Sequence, residues 1–155
     1  MFQVGVISDT HNYLDPRIPH LFVDVDLILH GGDIGMPAII LALEQIAPVT
    51  AVAGNTDDPG FHYPQTELVE LGGRRFLVQH IVNPESLTDP IRTRIAGERP
   101  DVVVFGHTHK PFSKSIGGTR FFNPGYAGKS RFGLERSVAI LHCGDERIRA
   151  EYVKL

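Results

Sequence analysis

The chain has 155 residues, 42% of them hydrophobic, and a net charge of −3. That suits one globular domain over residues 1–155, large enough to bury a core without staples. The charge balance and lack of a basic block argue against nucleic acid as a partner beyond a small nucleotide, and one cysteine, Cys143, excludes an internal disulfide framework.

FQVGVI (2–7) reads as a strand and runs into the polar loop SDTHN. A short helix is expected within 16–23. VDLILHGGD (25–33) gives a second strand and a Gly-rich loop. PAIILALEQIA (37–47) has helical length, with Pro37 suited to the first turn. VTAVAG (49–54) is a third strand, ending in NTDD. This alternation argues for parallel strands joined by crossovers. TELVELGGRRFLVQH (66–80) reads as a hairpin about Gly72-Gly73. TDPIRTRIAGER (88–99) is helical and leads into the strand VVVF (102–105). FSKSIGGTRFFN (112–123) is a second hairpin, about Gly117-Gly118, and SVAILHCGDERIRAEYV (137–153) a third. Two sheets are expected, one mixed or mainly parallel and one mainly antiparallel. Packed face to face with helices outside, they make an α/β/β/α sandwich.

Cys143 ends an apolar run and reads as inert packing. The apolar start is too short for a signal peptide and lacks its basic flank, and no run reaches membrane-spanning length. The expected location is the cytoplasm, with no membrane partner. FFNPGY (121–126) and the last hairpin are candidate apolar surfaces for a homo-oligomer.

Polar residues collect where strands end. Asp9 and His11 follow the first strand, Asp33 the second and Asn55 the third. His80 follows the run ending at 79, and His107 and His109 follow VVVF. In open α/β sheets, loops beyond the carboxyl ends of the strands converge on one crevice. Two Asp, one Asn and four His form the O/N ligand set of divalent transition metals, without the thiolates of a structural zinc site. Seven side chains exceed what one catalytic ion with an open position needs, and suit two. A carboxylate bridges two ions through its two oxygens, so a shared Asp completes the set. Two divalent ions outweigh the charge of Asp9 and Asp33, which favours a bound hydroxide and an anionic substrate. Ions roughly 3.5–4 Å apart also acidify a shared water and clamp an in-line displacement at phosphorus.

Each element alone has a plainer reading. Asp-x-His serves as a cap, Gly-Gly-Asp and Gly-Asn as turns, and His80 as a buried histidine with its bonds satisfied. Their succession, each directly past an apolar strand, is what points to a site. His30 lies inside the second strand and reads as a packed core residue rather than a group orienting a ligand. His20, His62 and His142 read as structural.

Together these residues resemble the calcineurin-like metallophosphoesterase superfamily. The matches are Ser8-Asp9-Thr10-His11, Gly31-Gly32-Asp33, Gly54-Asn55-Thr56-Asp57, Gln79-His80 and Gly106-His107-Thr108-His109, with Asn123-Pro124-Gly125 also like the family's small members. The short length and the Gly-Asn-Thr-Asp form resemble the compact phosphodiesterase branch, related to the retromer's phosphoesterase-like subunit. The resemblance implies the four-layer α/β/β/α sandwich, two mixed sheets packed face to face with flanking helices. It implies that Asp9, His11 and His109 hold one ion, that Asn55, His80 and His107 hold the other, and that Asp33 bridges. Asp57 stands outside the metals and orients neighbours. Asp33, Asn55 and His107 are the residues implied to act at the reacting phosphate.

Two positions depart from the pattern. Larger members carry a histidine after the Asn, thought to protonate the leaving group, and here it is Thr56. Many small members carry His-Gly-His where this chain has His80-Ile81-Val82, so the phosphate-facing histidine becomes Val82. His62 is the only other imidazole near Asn55 in the chain, and nothing in the sequence places it. The expected activity is that of a modest phosphodiesterase, with phosphomonoesters as further substrates, working by attack of metal-bound hydroxide on a small phosphodiester. Loss of a general acid costs on the order of 10²–10⁴-fold on poor leaving groups. Mn²⁺ is the expected ion, and Fe²⁺, Zn²⁺, Co²⁺ and Ni²⁺ accept the same ligands. The alternatives are a scaffold or protein-binding module on the same fold, and a mononuclear metal-binding or storage protein. The scaffold has no need of seven ligands, and the mononuclear protein leaves about half of them unused.

Overall fold

Short apolar runs stopped by turn residues set the elements of the computed structural model, which describes residues 1–155. In chain order these are β1 (Phe2–Ile7), α1 (Ile18–Leu21), β2 (Leu27–His30), α2 (Ala38–Glu44) and β3 (Val49–Ala51). Then come β4 (Thr66–Leu71), β5 (Arg74–Gln79), α3 (Asp89–Glu98) and β6 (Val102–Val104). The chain closes with β7 (Phe112–Ile116), β8 (Thr119–Asn123), β9 (Ser137–Cys143) and β10 (Ile148–Lys154). An unforeseen 3₁₀ turn, Pro59–Phe61, follows the third strand, and Pro37 caps α2 rather than opening its first turn.

One sheet runs β10-β9-β1-β2-β3 and the other β4-β5-β6-β8-β7. Each contains two parallel and two antiparallel pairings. The expectation of one mainly antiparallel sheet is therefore corrected. The crossover through α3 places β6 between β5 and β8 and parallel to both, with Phe76 opposite Val102 and Val102 opposite Arg120. In the first sheet the last hairpin lays β9 antiparallel against β1. Both Gly-Gly turns have positive φ at each residue, as tight hairpins require.

Alternation along the strands sends side chains to opposite faces. Val4, Val6, Leu27 and Leu29 of the first sheet meet Phe76, Val78, Val102, Val104 and Phe122 of the second in a shared inner cluster. On the first sheet's outer face Ile7 and Ile28 pack against Ile18 of α1 and Ile39 and Leu43 of α2. On the second sheet's outer face Leu77, Val103 and Phe121 pack against Ile91 of α3. The result is the four-layer α/β/β/α sandwich.

The segment FFNPGY is not a surface for self-association, because Phe121, Phe122, Asn123 and Tyr126 are all buried. β8 lies inside its sheet, with Phe122 packed between the two sheets and Phe121 in the cluster beneath α3, so both its faces are covered. No helix is long and apolar enough to cross a membrane. Cys143 is buried, and burial pushes its thiol up to about 11, which agrees with inert packing. Phe76 is fully buried between the sheets. Phe76→Ala is expected to lower unfolding free energy by about 3–5 kcal/mol, read from the shift in a urea denaturation midpoint.

Candidate metal centre

The loops after β1, β2, β5 and β6 meet at one end of the sandwich. Backbone bonds tie them in pairs. Asp9 N–H donates to Gly32 C=O at 3.0 Å, His11 N–H to Asp33 C=O at 2.9 Å, and Gly106 N–H to His80 C=O at 3.0 Å. Asp9, His11, Asp33, His107 and His109 all take left-handed backbone, with φ between 45° and 72°. Non-glycine residues avoid that region unless the surroundings enforce it, and such clusters mark functional sites. Two motif glycines are there for space. A Cβ on Gly54 would overlap Asp33 Oδ1, and one on Gly106 would overlap the Ser8 hydroxyl and the Asp9 carboxylate.

The side chains converge on two carboxylates. Asp9 Oδ1 lies 3.8 Å from His11 Nε2, 3.9 Å from His80 Nε2 and 3.3 Å from His109 Nε2. Asp33 Oδ2 lies 3.7 Å from His11 Nε2 and 3.2 Å from His80 Nε2. Asp33 Oδ1 instead accepts the Thr56 N–H at 2.9 Å. A single oxygen of Asp33 therefore faces both imidazoles, where two oxygens were expected to share the bridging. Asp9, His11 and His109 form one potential ligand group, and Asp9, Asp33 and His80 another.

Asn55 and His107 complete the set more loosely. Asn55 Oδ1 lies 3.1 Å from His107 Nδ1, and the His107 ring stands edge-on to His80, with centroids 5.3 Å apart. The His107 side chain makes no ion pair with either carboxylate. All seven residues predicted from sequence thus share one place, with Asn55 and His107 at its exposed rim. Asp57 stands outside and accepts from the N–H groups of Ile34, Gly35 and Gly54, which fixes the loop around Asp33. His62 is exposed and bonds to none of these groups, His20 is exposed, and His142 pairs with Glu151 at 2.7 Å.

Three buried atoms of the site have no hydrogen-bond partner: Asp9 Oδ1, His11 Nε2 and His80 Nε2. Buried polar atoms are otherwise almost always satisfied. An oxygen and two imidazole nitrogens turned toward one another are the donors a divalent transition ion takes. His80 Nδ1 lies 2.7 Å from the Gly31 carbonyl, so Nδ1 carries a proton and Nε2 is the nitrogen turned toward the carboxylates. Burial pushes the Asp9 carboxyl above its ordinary range, against smaller opposing pulls from Ser8, His80 and His109. At Asp33 burial also pulls upward, but the adjacent His80 imidazole and the hydrogen bond from Thr56 outweigh it and hold the carboxyl well below the usual range.

The sequence reading missed four supports of this site. The Ser8 hydroxyl donates to Asp9 Oδ2 at 2.7 Å, and the His107 N–H approaches the same oxygen at 3.2 Å. Asp9 therefore keeps Oδ1 free. The Tyr126 ring, fully buried, lies 4.8 Å from the His109 ring and holds the Arg131 guanidinium 5.5 Å above it. Arg131 itself pairs with no carboxylate. Only the position of Ser8 beside Asp9 was a signal in the sequence, since Tyr126 and Arg131 arrive from a distant loop.

His30 corrects an expectation. It is fully buried, yet it does more than pack. Its Nδ1 accepts the Gly32 N–H at 3.1 Å, so Nε2 carries the proton and donates to Thr10 Oγ1 at 3.0 Å. Thr10 in turn donates to the Ile34 carbonyl at 2.7 Å. His30 thus joins the loop of Asp9 and His11 to the loop of Asp33. Burial, aided by the charge of His80, pushes it down to about 3.

The family model of the calcineurin-like phosphoesterase superfamily domain matches residues 2–146. The chain belongs to this superfamily. Its calcineurin-like relatives include a "probable metallophosphoesterase" of Methanothermobacter thermautotrophicus, 35% identical over 97% of this chain and 91% of the relative. Among solved structures, a novel archaeal phosphodiesterase superposes with a TM-score of 0.77 at 22% identity, covering 99% of both chains. Vps29 of Entamoeba histolytica, complexed with zinc, superposes with a TM-score of 0.72 at 22% identity, covering 98% of both. At those identities the likeness is one of fold. A calcineurin-like phosphoesterase domain implies divalent metal ions, and the residues gathered here fit them.

Ser8→Ala leaves Asp9 Oδ2 with only the longer contact from the His107 N–H and is expected to weaken divalent-ion binding about 10–100-fold, read by titration calorimetry with manganese. The His30 network predicts a pH effect as well. Unfolded, the imidazole titrates near about 6.5; folded, near about 3. Its contribution to stability is complete above the first value and is lost as pH falls toward the second. His30→Gln is therefore expected to flatten the acid slope of unfolding free energy, by up to about 1.4 kcal/mol per pH unit. Denaturant melts between these two pH values read the slope.

Proposed function

We propose that this chain is a phosphodiesterase that hydrolyses a small phosphodiester with two divalent metal ions. The observation that carries the reading is the set of buried, partnerless ligand atoms on Asp9, His11 and His80. Asp9, His11 and His109 would hold one ion, Asn55, His80 and His107 the other, and Asp33 would serve both. Bound there, paired divalent ions supply an acidified water and neutralise charge on the phosphate oxygens.

The chain's own groups do the rest. Asp33 stays ionised because Thr56 N–H and His80 favour its charged form, so it serves as a ligand and not as an acid. Asn55 and His107, at the open rim, meet the substrate's phosphate. Arg131, unpaired and braced on Tyr126, offers a guanidinium to a phosphate oxygen on the His109 side. Thr56 occupies the leaving-group position and donates no proton at neutral pH. The preferred substrates are therefore diesters whose leaving group departs unaided, such as aryl esters. Manganese is the proposed ion and the cytoplasm the proposed location. The absence of a protonating group at Thr56 and of a phosphate-facing histidine at Val82 favours a scaffold that has lost turnover. The buried carboxylates and imidazoles, which a scaffold does not need, favour the enzyme.

The deciding experiment loads the protein with manganese, counts ions per chain and follows hydrolysis of bis(p-nitrophenyl) phosphate. Asp33→Asn is expected to abolish paired binding and to lower kcat/KM by more than the roughly 100-fold that a supporting residue costs. Asn55→Ala is expected to weaken one ion before the other. Wild-type turnover by the Asp33→Asn protein would refute the mechanism.

A further inference from the structure

On the His107 side of the centre lies a groove of about 480 Å³, within the usual size of a small-molecule site. Val82 and Phe105, both buried, form its floor, and Phe112, Pro84 and Pro111 its walls. Phe105 and Phe112 meet edge to face, with centroids 5.9 Å apart. Val82 stands where the resemblance expects a histidine facing the phosphate. Here it packs with Phe105 and Ile91 in the apolar cluster beneath α3. His107 and Thr108 line the same groove, so it opens directly from the candidate centre. Its charges sit at the rim: Lys110 is exposed, and Glu85 is paired with Lys114 at 3.0 Å.

We propose that this groove binds an aromatic ester arm of the substrate, a planar aryl or nucleobase group, while the phosphate occupies the metal centre. The proposal rests on the phosphodiesterase reading and names its substrate class. A charged or strongly polar arm would lose its hydration against Val82 and Phe105, because the groove's polar partners stand at its rim and not on its floor. A flat ring gains burial on the floor and an aromatic partner in Phe112. The replacement of histidine by valine thus exchanges a phosphate-facing imidazole for a binding surface.

Binding to the manganese-loaded protein, read by calorimetry, separates the two readings. Phenylphosphonate and methylphosphonate carry the same headgroup and differ only in the arm. Phenylphosphonate is expected to bind roughly tenfold more tightly. Phe112→Ala is expected to shrink that preference to about twofold or less, with methylphosphonate unchanged. Phe112 is half-buried at the start of an edge strand, so its truncation spares the inner core. The wild-type comparison decides even without the variant. Equal affinities would overturn the groove assignment alone, leave the phosphoesterase reading intact and give the groove to a protein segment or a second copy. Failure of both phosphonates to bind would overturn both readings. A phenyl preference that survives Phe112→Ala would place the aromatic arm elsewhere and refute this groove.

Discussion

Two carboxylates, Asp9 and Asp33, are buried side by side with no lysine or arginine against them. Charges removed from water cost several kcal/mol each unless a counter-charge meets them. Apart from the Ser8 hydroxyl and the backbone N–H groups of Thr56 and His107, only imidazoles face them, one of which, His80, is itself buried. Much of the local architecture makes sense as the means of holding this arrangement. The sandwich supplies parallel strands that end together. Gly54 and Gly106 leave room for the carboxylates, and cross-loop bonds enforce a backbone that the residues would otherwise avoid. The oxygens and nitrogens so gathered are those a divalent cation takes, in keeping with the metal ions that a calcineurin-like phosphoesterase domain implies.

The elements of the fold were legible because each has a local cause. Gly72-Gly73 and Gly117-Gly118 mark their hairpins, and apolar runs of strand length mark the core. Pairing between distant strands was less so. Nothing in SVAILHC says that it lies antiparallel to FQVGVI, or that VVV is flanked on both sides by parallel neighbours. The burial of FFNPGY depends on long-range packing in the same way, since the other sheet covers Phe122 and α3 closes over Phe121.

The site divides in the same way. Asp9, His11, Asp33, Asn55, His80, His107 and His109 were recognisable because each directly follows an apolar run, and strand direction brings such positions together. Their supports were not. His30 looks like any apolar-strand histidine until both its nitrogens are traced, one to Gly32 and one to Thr10. Tyr126 and Arg131 come from a loop that returns to the centre only after the second sheet is complete. Val82 was visible as a departure, but its packing with Phe105 and Ile91 depends on α3 closing over that face.

The left-handed backbone at Asp9 and Asp33 bears on how such a protein could change over evolutionary time. Asparagine tolerates that conformation about as well as aspartate, whereas bulkier or branched residues do not. One base change in an aspartate codon yields asparagine. A lineage could therefore discharge these carboxylates and abandon hydrolysis while its loops kept their course, leaving an intact surface free to take up recognition instead.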